Sequence, residues 1–206
     1  MREQTVEDVA VEGGLAPAYR TLAALYREPP DERTIRSLRE WCRRVDGDLP
    51  PALSTAVGTV LEADPEPAKL RAAFTRLLQG VSYGETVPPP YESLYVDDVL
   101  NGPSTTEVQA FYLEAGVELA VEDELVDHAG YELAFLAELV ERGGRAAQLA
   151  FIRTHVGAWL PTFHEDAAGD APAFYRGVFA LTEAVLELHA ESLEAAGVTV
   201  DGGGRP

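Results

Sequence analysis

The sequence predicts an all-α protein, a single-domain helical bundle of about eight or more helices with a long central proline-rich loop. Apolar residues recur at three- and four-residue spacing along most of the 206 residues, as they do on one face of an amphipathic helix. No convincing strand pattern and no internal repeat interrupts this periodicity. We therefore expect one domain over residues 1–206, in which residues 1–14 and 197–206 form frayed tails.

Four helices are predicted before the loop. The first, Leu15–Arg27, is ended by the Pro29-Pro30 pair. Asp31 is a good N-cap for the second, whose apolar residues lie on one face until Gly47 stops it. Pro50-Pro51 opens the third. The fourth follows residues 64–67 and turns apolar side chains toward the core, namely Leu70, Phe74, Leu77, Leu78 and Val81.

The central segment Gly80–Pro103 is predicted to be non-helical. Three prolines in a row, Pro88-Pro89-Pro90, have no backbone N–H groups and favour an extended chain. Tyr91 and Tyr95 follow at four-residue spacing. A loop of this length in a helical domain is usually functional or disordered, and its aromatic residues argue against disorder. We expect an ordered loop whose tyrosines either line a site or anchor the loop on the core.

Three helices after the loop have recognisable boundaries. Ser104 and Glu107 have the spacing of a capping box, which predicts a helix start. The next helix is predicted over residues 122–141 and ends at Gly143-Gly144. A further helix, residues 146–163, contains Pro161, where we expect a kink or a break.

The last helix repeats apolar residues at three and four positions from Phe174 to Leu188. Asp170 is predicted to cap this helix, and Pro172 fits its first turn.

The charge balance is the most unusual property of the composition. There are 35 Asp and Glu residues against 16 Lys and Arg residues, of which Lys69 is the single lysine, and the formal net charge is −19. A nucleic acid partner is disfavoured, because binding phosphates requires a basic surface. A cationic partner and adaptation to a salty cytoplasm both remain open, since halophiles use high net charge to keep proteins soluble.

Other features of the sequence favour a cytoplasmic protein. Cys42 is alone, which fits a reducing compartment. The N-terminus is acidic and has no apolar core of a signal peptide. No apolar run approaches the ~18–20 residues of a membrane span, so no stable membrane insertion is expected.

The predicted helix over residues 122–141 carries the polar residues of greatest interest. Glu132 falls within its apolar face and His128 on the flank, four residues away. A buried carboxylate must be paired, or its pKa rises. Glu132 could therefore tie two helices together, or it could belong to a polar pocket lined by His128 and Asp127, as in an enzyme or a nucleotide-binding protein.

Metal and nucleophile chemistry find little support in the sequence. There is no Glu-x-x-His pair of the kind that helical di-iron sites require, no His-Glu-x-x-His and no cysteine pair. There is also no Gly-x-Ser-x-Gly and no P-loop. We therefore predict neither a metal site nor catalytic residues.

Four segments of the sequence form a recognisable family pattern. They are Pro90-Tyr-Glu-Ser-Leu-Tyr95, Gly102-Pro-Ser, Asp127-His128-x-Gly-x-Glu-Leu133-x-Phe and Phe151-Ile-x-x-His155-x-x-x-Trp159-Leu-Pro-x-Phe163. Together they resemble the TorD/DmsD group of molybdoenzyme assembly chaperones. Phe174-Tyr175 continues the pattern. The resemblance spans roughly residues 15–195.

This resemblance implies an all-helical cytoplasmic chaperone that has no catalytic activity and no cofactor of its own. Its partners would be the catalytic subunit of a molybdopterin-dependent oxidoreductase and that subunit's N-terminal signal peptide, which carries a twin arginine. The chaperone would delay export until the cofactor is inserted. It would be a monomer or a homodimer.

The resemblance places peptide recognition on the Asp-His pair and on the tyrosine-containing loop. A carboxylate can accept a guanidinium bidentately, and tyrosines can stack on the other arginine or pack against apolar residues. The residues predicted to bind the signal peptide are Tyr91, Ser93, Tyr95, Asp127, His128 and Glu132. An alternative within the same fold is a NarJ-type chaperone, whose client is a subunit of a nitrate-reductase-like enzyme.

Overall fold

The computed structural model describes residues 14–45, 49–79, 87–117 and 125–200. In these ranges the regular secondary structure is helical, which confirms the all-α prediction. The helices are α1 (Leu15–Arg27), α2 (Glu32–Val45), α3 (Pro51–Glu62), α4 (Pro67–Leu77), α5 (Glu92–Val96), α6 (Pro103–Glu114), α7 (Ala129–Arg142), α8 (Arg145–Thr154), α9 (Val156–Ala167) and α10 (Ala173–Ala195).

The bundle is built around two helix pairs. The most extensive packing joins α1 to α7 and α3 to α10. Gly177 allows the second pair to approach closely, because a Cβ there would lie 2.9 Å from Val60 Cγ2 and 3.0 Å from the Val60 nitrogen. None of the helices in the described ranges is both long enough and apolar enough to cross a membrane.

The helix boundaries before the loop follow the predicted signals. The Thr34 N–H donates to Asp31 Oδ1 over 2.7 Å, which confirms the predicted N-cap of α2. Pro51 occupies the first turn of α3, as expected of a residue without an N–H. Gly47 and Val81 lie outside the described residues, as do residues 1–13 and 201–206 of the predicted tails.

Two predicted caps are wrong. The helix α6 begins at Pro103, and the Ser104 N–H donates over 2.9 Å to Asp97 Oδ2, so the cap comes from a residue upstream. Pro103 shifts the start because it suits the first helical position. Asp170 does not cap α10, whose N-cap position is Pro172 and has no side-chain cap.

Of the kink or break expected at Pro161, the break does not occur. Pro161 lies inside α9, and the chain instead breaks at His155, where φ is −122° and ψ is −110°. This break brings Gly157 against the preceding helix, because a Cβ on Gly157 would lie 2.5 Å from the Ile152 carbonyl oxygen. Only glycine therefore fits at this corner.

We expect Gly157→Ala to destabilise the protein by about 1–3 kcal/mol, because the added methyl group must displace backbone in a packed region. Gly58→Ala is a matched control, since a Cβ at Gly58 meets no atom within 4 Å. Removing a glycine from the middle of α3 should raise stability by about 0.5–1 kcal/mol. Urea unfolding of both variants checks the pair, and equal stabilities would contradict the role of the corner.

The central segment is not the continuous loop that the sequence predicted. Residues 80–86 lie outside the described chain, and residues 87–89 have no regular structure. The five residues of α5 then form a helix within the segment. A helix is possible there because the residues after Pro90 again have N–H groups, and α5 contains neither proline nor glycine.

Candidate functional site

The segment that contains α5, residues 90–101, pairs with the chain at the start of α7. We call it the α5 segment. The Glu92 N–H donates to the Asp127 carbonyl over 2.9 Å, and the Ala129 N–H donates to the Pro90 carbonyl over 2.9 Å. Between them, Tyr91 and His128 form an isolated antiparallel bridge. Proline has no N–H group, but its carbonyl oxygen still accepts, so Pro90 can take part in this pairing.

This pairing explains why the predicted helix over residues 122–141 starts later than expected. The helix α7 begins at Ala129, and residues 118–124 lie outside the described chain. Asp127 and His128 precede the helix because the Asp127 carbonyl and the Ala129 N–H on either side of His128 are bonded to Glu92 and Pro90. His128 is the N-cap, and its Nδ1 accepts the Gly130 N–H over 3.1 Å.

Asp127 holds the α5 segment through its side chain as well. Its Oδ2 accepts the Ser93 N–H over 2.9 Å, and both residues are fully buried. Ser93 in turn accepts the Asn101 N–H at its Oγ over 3.2 Å. Asp127 Oδ1 has no hydrogen-bond partner in the part of the chain that the structure describes.

His128 is a buried, neutral side chain. Its pKa is lowered to about 3, mainly by burial and then by the nearby Arg27, against the opposing effect of a hydrogen bond with the Leu78 backbone. Because Nδ1 accepts a hydrogen bond, the ring proton belongs on Nε2. The ring meets Tyr91 edge to face at a centroid distance of 5.0 Å. His128 therefore packs against Tyr91 and carries no charge at neutral pH.

Glu132 lies in a buried polar cluster. Its Oε2 accepts the Trp159 Nε1–H over 3.1 Å, which ties α7 to α9. Glu92 lies close by and contacts His155 Nδ1 over 3.1 Å. Burial raises the pKa of Glu132 well above its ordinary value, and the Glu92 carboxyl group raises it further. The pKa of Glu92 is also raised by burial, against the opposing effect of His155.

Tyr95 attaches the α5 segment to α9. Its ring stacks on Trp159 at a centroid distance of 5.5 Å, and its hydroxyl donates to the Pro88 carbonyl over 2.7 Å. Burial raises the pKa of this hydroxyl, which therefore stays protonated. In this conformation Tyr95 anchors the segment on the bundle and leaves only part of its ring in solvent.

All six residues predicted to bind the signal peptide are thus brought to one region. Ser93, Asp127, His128 and Glu132 are buried, and Tyr91 and Tyr95 are partly exposed. Of the two interpretations of Glu132, the geometry supports the helix-tying one, with Trp159 and not His128 as the partner.

The buried cluster also contains Glu92, His155 and Trp159, which are not among the six residues predicted to bind the signal peptide. The signal for two of them was present, since His155 and Trp159 belong to the segment that carried the family resemblance. Glu92 lies inside the loop motif, between the predicted residues Tyr91 and Ser93.

Three clefts lie elsewhere on the described surface, and none includes a predicted site residue. One of about 410 Å³ lies between α9 and α10, one of about 290 Å³ between α1 and α7, and one of about 410 Å³ beside α2. In the described ranges, no group of three or more His, Cys, Asp or Glu side chains is arranged to hold a metal ion.

Comparisons with known proteins agree with this architecture. The family model described as nitrate reductase delta subunit matches residues 32–165. The chaperone protein TorD of Shewanella loihica is 24% identical over 213 residues, which cover 95% of this chain and 100% of that protein. The crystal structure of a redox enzyme maturation protein from Archaeoglobus fulgidus shares the fold, with a TM-score of 0.54 and 19% identity over 87% of this chain and 93% of that one.

Proposed function

Because the chain belongs to the nitrate reductase delta subunit family, we propose that it is a chaperone for the maturation of a molybdopterin-dependent oxidoreductase. The matched region, residues 32–165, contains both the α5 segment and the Asp127-His128 pair. The resemblance to the TorD/DmsD group is confirmed by the family match and by the relative named TorD. The proposal depends on this match, because the matched region contains the α5 segment and residues 127–129, which are hydrogen-bonded to each other.

The client would be the catalytic subunit, bound in the cytoplasm through its N-terminal signal peptide before export. The α5 segment is the proposed contact, because Tyr91 and Tyr95 are its partly exposed aromatic residues. Asp127 and His128 are buried and neither reaches solvent in this conformation. We assign them to positioning: Asp127 fixes Ser93, and His128 supports Tyr91.

A nitrate-reductase-like client is a second candidate, favoured by the description of the matching family. Such a client would be recognised without an export signal. Pull-down of the catalytic subunit with and without its twin-arginine segment separates the two. Loss of binding on removal supports the signal-peptide role, and retention supports the nitrate-reductase-like role.

We expect no catalytic turnover by His128 and Glu132. Both side chains are buried, at 2% and 0% exposure, and Glu132 is occupied by Trp159. A general acid or base must reach its substrate within hydrogen-bond distance. A ligand retained through purification, or turnover lost in Glu132→Gln, would contradict this proposal.

The exposed aromatic rings give the direct test of the peptide site. We expect Tyr91→Ala and Tyr95→Ala each to weaken binding of the client's N-terminal peptide by about tenfold, as for other aromatic residues at interfaces. Tyr95→Phe keeps the stack on Trp159 and is the matched control. Calorimetric titration measures the affinities. If the alanine variants lower the melting temperature and leave affinity intact, the tyrosines only anchor the segment.

A further inference from the structure

A cluster of exposed apolar side chains follows α5. Val96, Val99 and Leu100 are 54%, 53% and 43% exposed; Val96 is the last residue of α5, and the other two lie in the turn between α5 and α6. Single exposed apolar residues are ordinary on protein surfaces. Three of them within five positions concentrate exposed apolar area in one short stretch of chain, which is more typical of an interaction site. We call these three residues the apolar turn.

The apolar turn has a fixed conformation. The Ser93 carbonyl accepts the N–H groups of Asp97 and Val99 over 3.1 and 3.3 Å, and Ser93 Oγ accepts the Asn101 N–H. Asp98 and Asn101 adopt left-handed φ angles of 57° and 61°, which are uncommon for residues other than glycine. The turn is therefore built onto Ser93, which Asp127 holds in place, and its apolar side chains are kept in solvent.

The sequence on both sides of the apolar turn is acidic. Between Arg76 and Arg142 the sequence contains 14 Asp and Glu residues and neither Lys nor Arg. Asp98 lies within the turn itself and is exposed. Several of these acids are buried or paired elsewhere, but Asp98 and Glu107 are exposed and close in sequence to the apolar side chains. Electrostatic complementarity therefore favours a partner with positive charge beside apolar residues.

We propose that the apolar turn binds an apolar peptide stretch with basic residues next to it, and that this stretch is part of the client's N-terminal segment. The apolar residues would pack on Val99 and Leu100, while the basic residues lie near Asp98. This inference rests on the proposed function and extends its site from Tyr91 and Tyr95 along the chain to residue 100.

The same charge argues against two other occupants. A second copy of the chain would bring an equally acidic surface against this one, and like charges across an interface disfavour association. A membrane surface carrying anionic lipids would be repelled in the same way. A cationic and apolar peptide is the partner that satisfies both properties of the turn.

The test is a titration of the client's N-terminal peptide into the full-length protein and into Val99→Ser/Leu100→Ser. We expect the double variant to bind about tenfold more weakly or worse, with an unchanged melting temperature, because both side chains are already in solvent. Leu113→Ser is the matched control: Leu113 is 68% exposed but lies roughly 15 Å along α6 from its start. It should bind as the wild type does.

A second peptide, in which the apolar stretch is replaced by serine and glycine, completes a double-mutant cycle. We expect it to bind the wild type and Val99→Ser/Leu100→Ser equally weakly. If the wild type binds the original peptide and the double variant binds it equally well, the inference is overturned while the proposed function stands. If the wild type binds neither peptide, the signal-peptide function itself fails, and this inference fails with it.

Discussion

Replacing Asp127 with alanine should lower the affinity for the client's N-terminal peptide by at least about tenfold. The variant removes the carboxylate that accepts the Ser93 N–H and leaves a buried donor without a partner. Such a loss costs about 1–3 kcal/mol. Because Ser93 also holds the turn that ends at Asn101, the whole α5 segment should become more mobile. Faster hydrogen exchange of the Ser93 and Val99 amides would report this directly.

Asp127→Asn is the control that separates positioning from direct contact. Asparagine keeps an acceptor oxygen for the Ser93 N–H but removes the negative charge. If Asp127 acts through Ser93, the asparagine variant should recover most of the affinity lost in Asp127→Ala. If Asp127 binds a guanidinium of the client, both variants should lose affinity to the same extent, and the positioning role would be wrong.

Glu132→Gln should stabilise the protein at neutral pH and flatten the pH dependence of its stability. The pKa of Glu132 is raised above 4.5 in the folded state, mainly by burial and then by Glu92. The folded protein therefore retains a proton that the unfolded chain releases. The stability from this proton is fully present below about pH 4.5 and is lost as pH rises through the folded-state pKa. Glutamine keeps the shape of the neutral acid and cannot lose a proton.

The expected gain is about 1–3 kcal/mol at neutral pH, comparable to the cost of one unsatisfied buried polar group. Glu132 Oε1 has no hydrogen-bond partner among the described residues, so an ionised Glu132 leaves this oxygen buried and unsatisfied. Urea unfolding between about pH 5 and 8 measures the difference, which should grow with pH. Glu141→Gln, which alters an exposed carboxylate paired with Arg20, should run nearly parallel to the wild type. Parallel curves for Glu132→Gln would refute the raised pKa.

Local signals in the sequence were sufficient to predict a helix where its boundaries depend on its own residues. The bounds of α1 agree with the prediction at both ends, because an apolar stripe and a following Pro29-Pro30 define them. The burial of Glu132 was also predictable, since the residue falls within an apolar helical face. The convergence of the loop motif and the Asp127-His128 pair followed from the family resemblance.

The predicted helix boundaries were wrong where a boundary depends on residues far away in the sequence. The start of α7 is set by bonds from Asp127 to Ser93, 34 positions earlier, and the break at His155 lies where Glu92 contacts it across 63 positions. Periodicity in a local window contains no information on such pairs. The burial of Asp127 and His128 depends on the same pairing, so a sequence pattern could mark them as important but not as enclosed.

The bonds between the α5 segment and residues 127–129 also determine how freely the length of the chain between them can vary. They close a loop of 34 residues that contains the apolar turn and α6. The entropy of closing a loop grows only slowly with its length, by about 0.6 kcal/mol for each doubling. Insertions and deletions inside this loop therefore leave its closure almost unaffected. The length of the exposed turn can therefore vary while the hydrogen bonds at the ends of the loop stay the same.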